Sequence, residues 1–312
     1  MPEPCPGWRN VPVVGDPGEM RFADSSSGVR VAYEALGSPD GEPLLLVMGL
    51  GMQMLAWPDD FCAGLAQRGF SPVRFDNRDT GLSTHLTGLG APNPALVMLR
   101  PQAVAGYRLS DMADDAAAVV DAAGWRSAHV VGVSLGGMIA QTLAIRHPSR
   151  VRTLTSIMST PAPRVGRPLV RAMLALRPGQ VRDREDAARR LVRVFRVIGS
   201  PAYPLDEDWL REIGRRSYDR AYDPDGALRQ LAAIGASGDR RPGLAGVRVP
   251  TLVVHGDADP LVRPAGGRAT AAAIPGARLV MYPGMGHNLP RELWPSITDE
   301  ISALASLAPP PR

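Results

Sequence analysis

The sequence predicts a protein of the α/β class: a mostly parallel, doubly wound sheet with a helical lid inserted between strands 6 and 7. Three observations carry that expectation. Short apolar runs alternate with helical periodicity from residue 44 to residue 158, as in strands buried on both faces and crossed over by helices. The stretch 160–245 then holds helical spacing and no convincing strand. Strand–helix alternation resumes at Thr251 and runs to the last helix. A chain of 312 residues is long enough for one core of roughly 200–250 residues plus an insertion. The expected organisation is a core in two parts, 1–159 and 246–312, with the lid over 160–245.

Each element has its own signal. Residues 1–18 are rich in Pro and Gly and read as an irregular lead-in. Weak alternation over 20–36, broken at Ser25-Ser26-Ser27-Gly28, predicts a hairpin. The run 44–48 ends at Gly49 and predicts a fully buried strand. A helix follows over 58–67, with Phe61, Cys62, Leu65 and Ala66 on one stripe and Gly69 past its end. A short strand is expected over 73–75. Ser110 is placed to cap a helix over 111–123, which Gly124 ends. A strand over 129–133, a helix over 135–146 stopped by Pro148, and a strand over 151–158 complete the first half.

In the lid, helical stretches are expected at 168–176, 184–198, 206–217 and 224–236. Ala187, Leu191, Val194, Phe195 and Ile198 make one apolar stripe there. The core then returns with a strand over 251–255, a helix over 264–273, a strand over 278–282 and a helix over 290–307. Pro309-Pro310-Pro311 reads as a disordered tail.

Charge excludes some functions. All 35 basic residues are Arg, they interleave with 31 acidic ones, and the net charge is only +4. No polybasic block appears, so no nucleic-acid partner is expected. Cys5 and Cys62 are too few for a disulfide framework, and no Cys/His group has zinc spacing. No cofactor and no metal are implied. The N-terminus has neither a basic nor an apolar signal region, which points to the cytoplasm. A long uncharged stretch, 128–145, contains three Gly and several polar side chains. It reads as strand, turn and helix, so no membrane partner is expected. No pattern specifies an oligomeric state.

That same stretch carries the chemistry. Gly132-Val133-Ser134-Leu135-Gly136 matches G-x-S-x-G and lies between an expected strand and an expected helix. A turn this tight needs small neighbours, and it lifts the Ser134 hydroxyl above the sheet edge at a helix N-terminus. A serine nucleophile needs a base. Of five histidines, only His287, in Gly284-Met285-Gly286-His287, follows a plausible acid in the chain order Ser, acid, His. That acid is Asp259 or Asp257 in Gly256-Asp257-Ala258-Asp259-Pro260. We favour Asp259, deeper in the loop and pinned by Pro260; Asp257 reads as a turn cap. Leu135, after the nucleophile, and Leu50, in Gly49-Leu50-Gly51, are the candidate oxyanion donors through their N–H groups. Met52, Met54, Trp57 and Met138 are candidate pocket walls, and a small-molecule ester is the expected partner. Asp76, Arg78 and Asp79 read as a structural turn after a strand.

Together, the strand–turn–helix around Ser134, the 256–260 loop and the 284–287 loop resemble the α/β-hydrolase superfamily. Two further segments, Val47-Met48-Gly49-Leu50-Gly51 through Trp57-Pro58 and Arg74 to Thr84, resemble the aclacinomycin methylesterase-like group of actinobacterial esterases. The resemblance implies an α/β-hydrolase fold and a Ser134–His287–Asp259 triad. It also implies cleavage of a methyl ester of an aromatic polyketide, although the 160–245 segment departs from that group. The residues alone leave lactonase, thioesterase, carbon–carbon bond hydrolase and perhydrolase chemistry open on the same triad. A ligand-binding receptor of the same fold is the non-enzymatic alternative.

Overall fold

The apolar runs assemble into one eight-stranded sheet in a computed structural model that describes residues 19–177, 179 and 181–309. The expected lead-in, 1–18, and the end of the Pro tail lie outside the described residues. The strands are β1 (Arg21–Asp24), β2 (Arg30–Ala35), β3 (Glu42–Val47), β4 (Phe70–Phe75), β5 (Ala128–Val133), β6 (Val151–Ile157), β7 (Thr251–Gly256) and β8 (Arg278–Tyr282). Their order across the sheet is β1-β2-β4-β3-β5-β6-β7-β8. β2 is antiparallel to both of its neighbours, and every pairing from β4 to β8 is parallel. In register, Leu45 faces Val73 on one side and Val130 on the other.

The helices are α1 (Asp59–Gln67), α2 (Pro94–Leu99), α3 (Leu109–Ala122), α4 (Leu135–Arg146), α5 (Val170–Ala175), α6 (Arg184–Ile198), α7 (Glu207–Arg220), α8 (Gly226–Ala236), α9 (Arg241–Leu244), α10 (Ala265–Ala273) and α11 (Trp294–Ala305). The period of two along β3 splits its apolar run between two cores. Leu45 and Val47 pack with Met112, Val119 and Ile139 from α3 and α4. Leu44 and Leu46 pack with Phe61, Leu65, Ile297 and Ile301 from α1 and α11. Each such side chain contributes about 1.5–3 kcal/mol on full burial, which is why the run is apolar without alternation. No helix among the described residues is long and apolar enough to cross a membrane.

α5 to α9 lie between β6 and β7, with α6 and α7 packed as a pair and α5 against α6. α9 packs instead on α4 and α10 of the core. Two expectations fail here. Ser110 does not cap α3. The helix opens at Leu109, so Ser110 lies inside its first turn, and the Asp111 carboxylate reaches back to accept from the Arg108 N–H at 2.7 Å, the N3 half of a capping box. α2 was not expected; its six residues sit between Pro92 and Pro101 in a stretch that reads as loop, and Asn93 caps it by accepting from Ala95 N–H at 2.9 Å.

Candidate active site

Ser134 sits where β5 turns into α4, with φ 55° and ψ −118°. A non-glycine residue held there stores about 1–3 kcal/mol of strain. The surroundings fix it. Its N–H donates to Ile157 O at 2.9 Å, and Ser159 Oγ donates to its carbonyl at 2.8 Å. The flanking glycines are compulsory, because a Cβ on Gly132 would lie 2.2 Å from Gly136 O and one on Gly136 would lie 2.0 Å from Val47 O.

The loop after β8 brings His287 to this turn. His287 Nε2 is 3.0 Å from Ser134 Oγ, and Nδ1 is 2.7 Å from Asp259 Oδ2. A neutral ring with its proton on Nδ1 satisfies both contacts: Nδ1–H donates to the carboxylate, and Nε2 accepts from the hydroxyl. Asp259 is buried, and its other oxygen, Oδ1, accepts from Leu261 N–H at 2.8 Å and Val262 N–H at 2.9 Å. The competing Asp257 accepts from Gly284 N–H at 2.7 Å instead, which anchors the histidine loop.

Two residues around this relay escape sequence reasoning. His255, the end of β7, has Nε2 2.7 Å from Val262 O and 3.7 Å from Asp259 Oδ2. Its Nε2–H therefore donates to the carbonyl of the residue that holds Asp259. Burial pushes its pKa down, which keeps the ring neutral. Ser200, after α6, accepts from Gly286 N–H at 2.8 Å and donates to Asn288 Oδ1 at 2.6 Å. The His287 N–H itself donates to Ile198 O at 2.7 Å. In sequence, one hydroxyl in a Gly-Ser-Pro turn carries no sign of this.

Leu135 opens α4, so its N–H has no acceptor within the helix. Across from it, Gly49 approaches the serine closely enough that a Cβ there would lie 3.4 Å from Ser134 Cβ. Gly51 N–H donates to Gln230 Oε1 of α8 at 2.9 Å, which holds the loop carrying Leu50. Leu50 and Leu135 both border a cavity of about 2560 Å³ that reaches Ser134 and His287.

Met52 and Met138 border the same cavity, joined by Phe195, Trp209 and Leu231 from the lid. Trp57 and Met54 do not. Both are fully buried, and Trp57 stacks on Phe61 at 5.6 Å between ring centroids. The expectation that they wall the pocket is corrected. The chain turns after Gln53 so that Trp57 points into the α1–α11 core, where a large ring gains most from burial.

The Asp76–Asp79 turn is an ionic hub under the lid. Asp76 accepts from Met54 N–H at 2.8 Å and pairs with Arg220 of α7 at 2.5 Å. Arg78 pairs with Asp115 at 2.6 Å, and Asp79 pairs with Arg229 of α8 at 2.9 Å. Asp79, His85 and Asp223 bring ligand-type atoms within 4.8 Å of one another. Arg229 already pairs with both carboxylates, so the cluster's charge is met by a guanidinium.

A strained serine at a strand–helix turn, bonded to a histidine that is bonded to a buried aspartate, is an arrangement able to carry hydrolase chemistry. The model of the alpha/beta hydrolase fold matches residues 42–290. The chain belongs to the α/β-hydrolase fold family. Rhodomycin D methylesterase DauP of Streptomyces sp. strain C5 is 32% identical over 287 residues, which is 84% of this chain and 90% of that protein. The solved enol-lactonase from Burkholderia xenovorans LB400 superposes with a TM-score of 0.70 at 25% identity, covering 92% of this chain and 100% of that one. The esterase RhEst1 from Rhodococcus sp. ECU1013 gives 0.72 at 21% identity over 93% and 99%.

Proposed function

We propose that the chain is an esterase that cleaves a methyl ester of a bulky, largely apolar, polyketide-like substrate through an acyl-enzyme on Ser134. The esterase type follows from the family and from the methylesterase relatives. The observation that carries the residue roles is the continuous hydrogen-bonded line Ser134–His287–Asp259. Ser134 Oγ attacks the ester carbonyl while His287 Nε2 takes its proton. Asp259 holds the Nδ1–H tautomer and balances the imidazolium. The oxyanion accepts from the N–H groups of Leu50 and Leu135. Collapse of the tetrahedral intermediate expels the alkoxide, which takes the proton from Nε2 and leaves as methanol. A water, deprotonated by the same Nε2, then releases the acid.

Substrate bulk is argued from the cavity. Pockets for small ligands are commonly about 300–1,000 Å³, and this one is about 2560 Å³ with Leu50, Met52, Met138, Phe195 and Trp209 along it. The test has two parts. A fluorophosphonate is expected to label Ser134, and Ser134→Ala is expected to lower kcat on p-nitrophenyl butyrate by a factor on the order of 10⁴–10⁶. Hydrolysis by the alanine variant at the parent rate refutes the residue roles. Among methyl esters, polycyclic aromatic ones are expected to be turned over with higher kcat/KM than simple alkyl ones; equal values refute the substrate class.

A further inference from the structure

Charge on this chain is not evenly spread. From 80 to 110 and from 160 to 182 it carries seven Arg and no Asp or Glu. Elsewhere Arg and acid pair, as in Arg196–Glu207 and Arg215–Glu185 between the lid helices. Arg100, Arg164, Arg167, Arg171 and Arg177 are exposed, and none pairs with a carboxylate among the described residues. These five charges exceed the net charge of the whole chain, +4. Between them stand aliphatic side chains in water: Leu99 is 79% exposed, Val170 71%, Met98 60% and Leu174 55%. The residues sit on and beside α2 and α5, and Met98, Leu99, Met173, Arg164, Arg167 and Arg177 border the cavity.

We propose that this rim is a docking surface for an anionic lipid–water interface. Aliphatic side chains flanked by unpaired guanidinium groups are the composition of a segment that lies in the headgroup plane, with apolar groups below and Arg at the phosphates. Arg meets phosphate oxygens through paired N–H donors, which no carboxylate here occupies. A second copy of the chain is a poor occupant, since two such faces would set Arg against Arg. A protein partner is disfavoured by the apolar groups themselves. They are spread over two separate short helices around an opening, and neither helix carries an aromatic anchor. A deformable apolar phase needs no matching pocket. An apolar substrate held in lipid would then enter the cavity without crossing water. The expectation of no membrane partner weighed only a spanning segment, and the chain-wide balance of Arg and acid hides this local asymmetry.

The test is co-sedimentation of the full chain with vesicles of phosphatidylcholine alone and with vesicles containing phosphatidylglycerol. Binding is expected only to the second, and salt is expected to weaken it. The double variants Arg100→Glu/Arg171→Glu and Val170→Ser/Leu174→Ser change exposed residues away from the cavity wall. Each is expected to bind anionic vesicles about tenfold or more weakly, while hydrolysis of a dissolved short-chain ester stays at the parent rate, which also reports the fold. No sedimentation with phosphatidylglycerol vesicles overturns the proposal. So does parent-level binding by Val170→Ser/Leu174→Ser, which would reduce the effect to simple anion attraction. Binding to an acidic carrier protein without binding to vesicles overturns it in favour of a protein dock.

Discussion

Single residues decide which of two neighbouring carboxylates orients the histidine. Asp257 and Asp259 are two positions apart and chemically identical, yet their oxygens have different partners. Asp259 Oδ2 meets the His287 ring, and Asp257 Oδ1 meets a backbone N–H in the same histidine loop. In the proposed triad, Asp259→Asn puts an amide where the carboxylate would balance the imidazolium and favours the wrong tautomer, so kcat is expected to fall by about 10⁴. Asp257→Asn keeps an acceptor for Gly284 N–H, so a drop of less than about tenfold is expected. Steady-state kinetics of both variants check this, and comparable losses would mean the assignment is mistaken. Sequence favoured Asp259 because Pro260 fixes the chain after it. Apolar character alone, which made Trp57 a candidate pocket wall, misplaced that ring. Which way a side chain points after a short turn depends on the packing of α1 and α11, and those helices are far apart in the chain.

At the scale of elements, the strand–turn–helix from β5 to α4 was legible to within one residue, because an apolar run, two obligatory glycines and Pro148 each act locally. The tie between lid and histidine was not. It joins the C-terminal end of α6 to a loop 86 positions away through Ser200 Oγ and Gly286 N–H, and no short-range pattern encodes such a pairing. Its consequence is testable. Ser200→Ala removes a buried acceptor and leaves the Gly286 N–H unpaired, a cost of about 1–3 kcal/mol that falls on the loop holding His287. Gly286→Ala is harsher, since its Cβ would lie 2.2 Å from Gly199 O. We expect kcat to fall roughly tenfold in the first and further in the second, with far-UV circular dichroism unchanged for Ser200→Ala. Parent activity in Gly286→Ala would show that the loop tolerates separation from α6. The lid has a second anchor at Arg220–Asp76. Arg220→Met strands a buried carboxylate, and thermal unfolding is expected to report a loss of about 3–5 kcal/mol.

For the molecule as a whole, buried histidines are expected to cost stability in acid. His129 lies in β5, packs edge-on against Phe70 and has Nδ1 2.9 Å from Thr153 Oγ1 of β6. Burial, aided by the Arg152 guanidinium, pushes its pKa down from 6.5 to about 4. His255 moves in the same direction through burial. Above pH 6.5 the ring is neutral in both folded and unfolded chains, and no penalty exists. As pH falls below that value the unfolded chain takes up a proton that the folded one refuses until about pH 4, so stability is lost across that window. The shift corresponds to about 3 kcal/mol for His129 alone. Urea unfolding at steps between pH 7 and pH 4 is expected to show a falling midpoint. His129→Gln keeps a hydrogen-bonding group beside Thr153 without a titrating ring, so its midpoint is expected to fall less over the same range. If parent and variant lose stability in parallel, the acid sensitivity arises from other groups, such as the ion pairs beneath the lid.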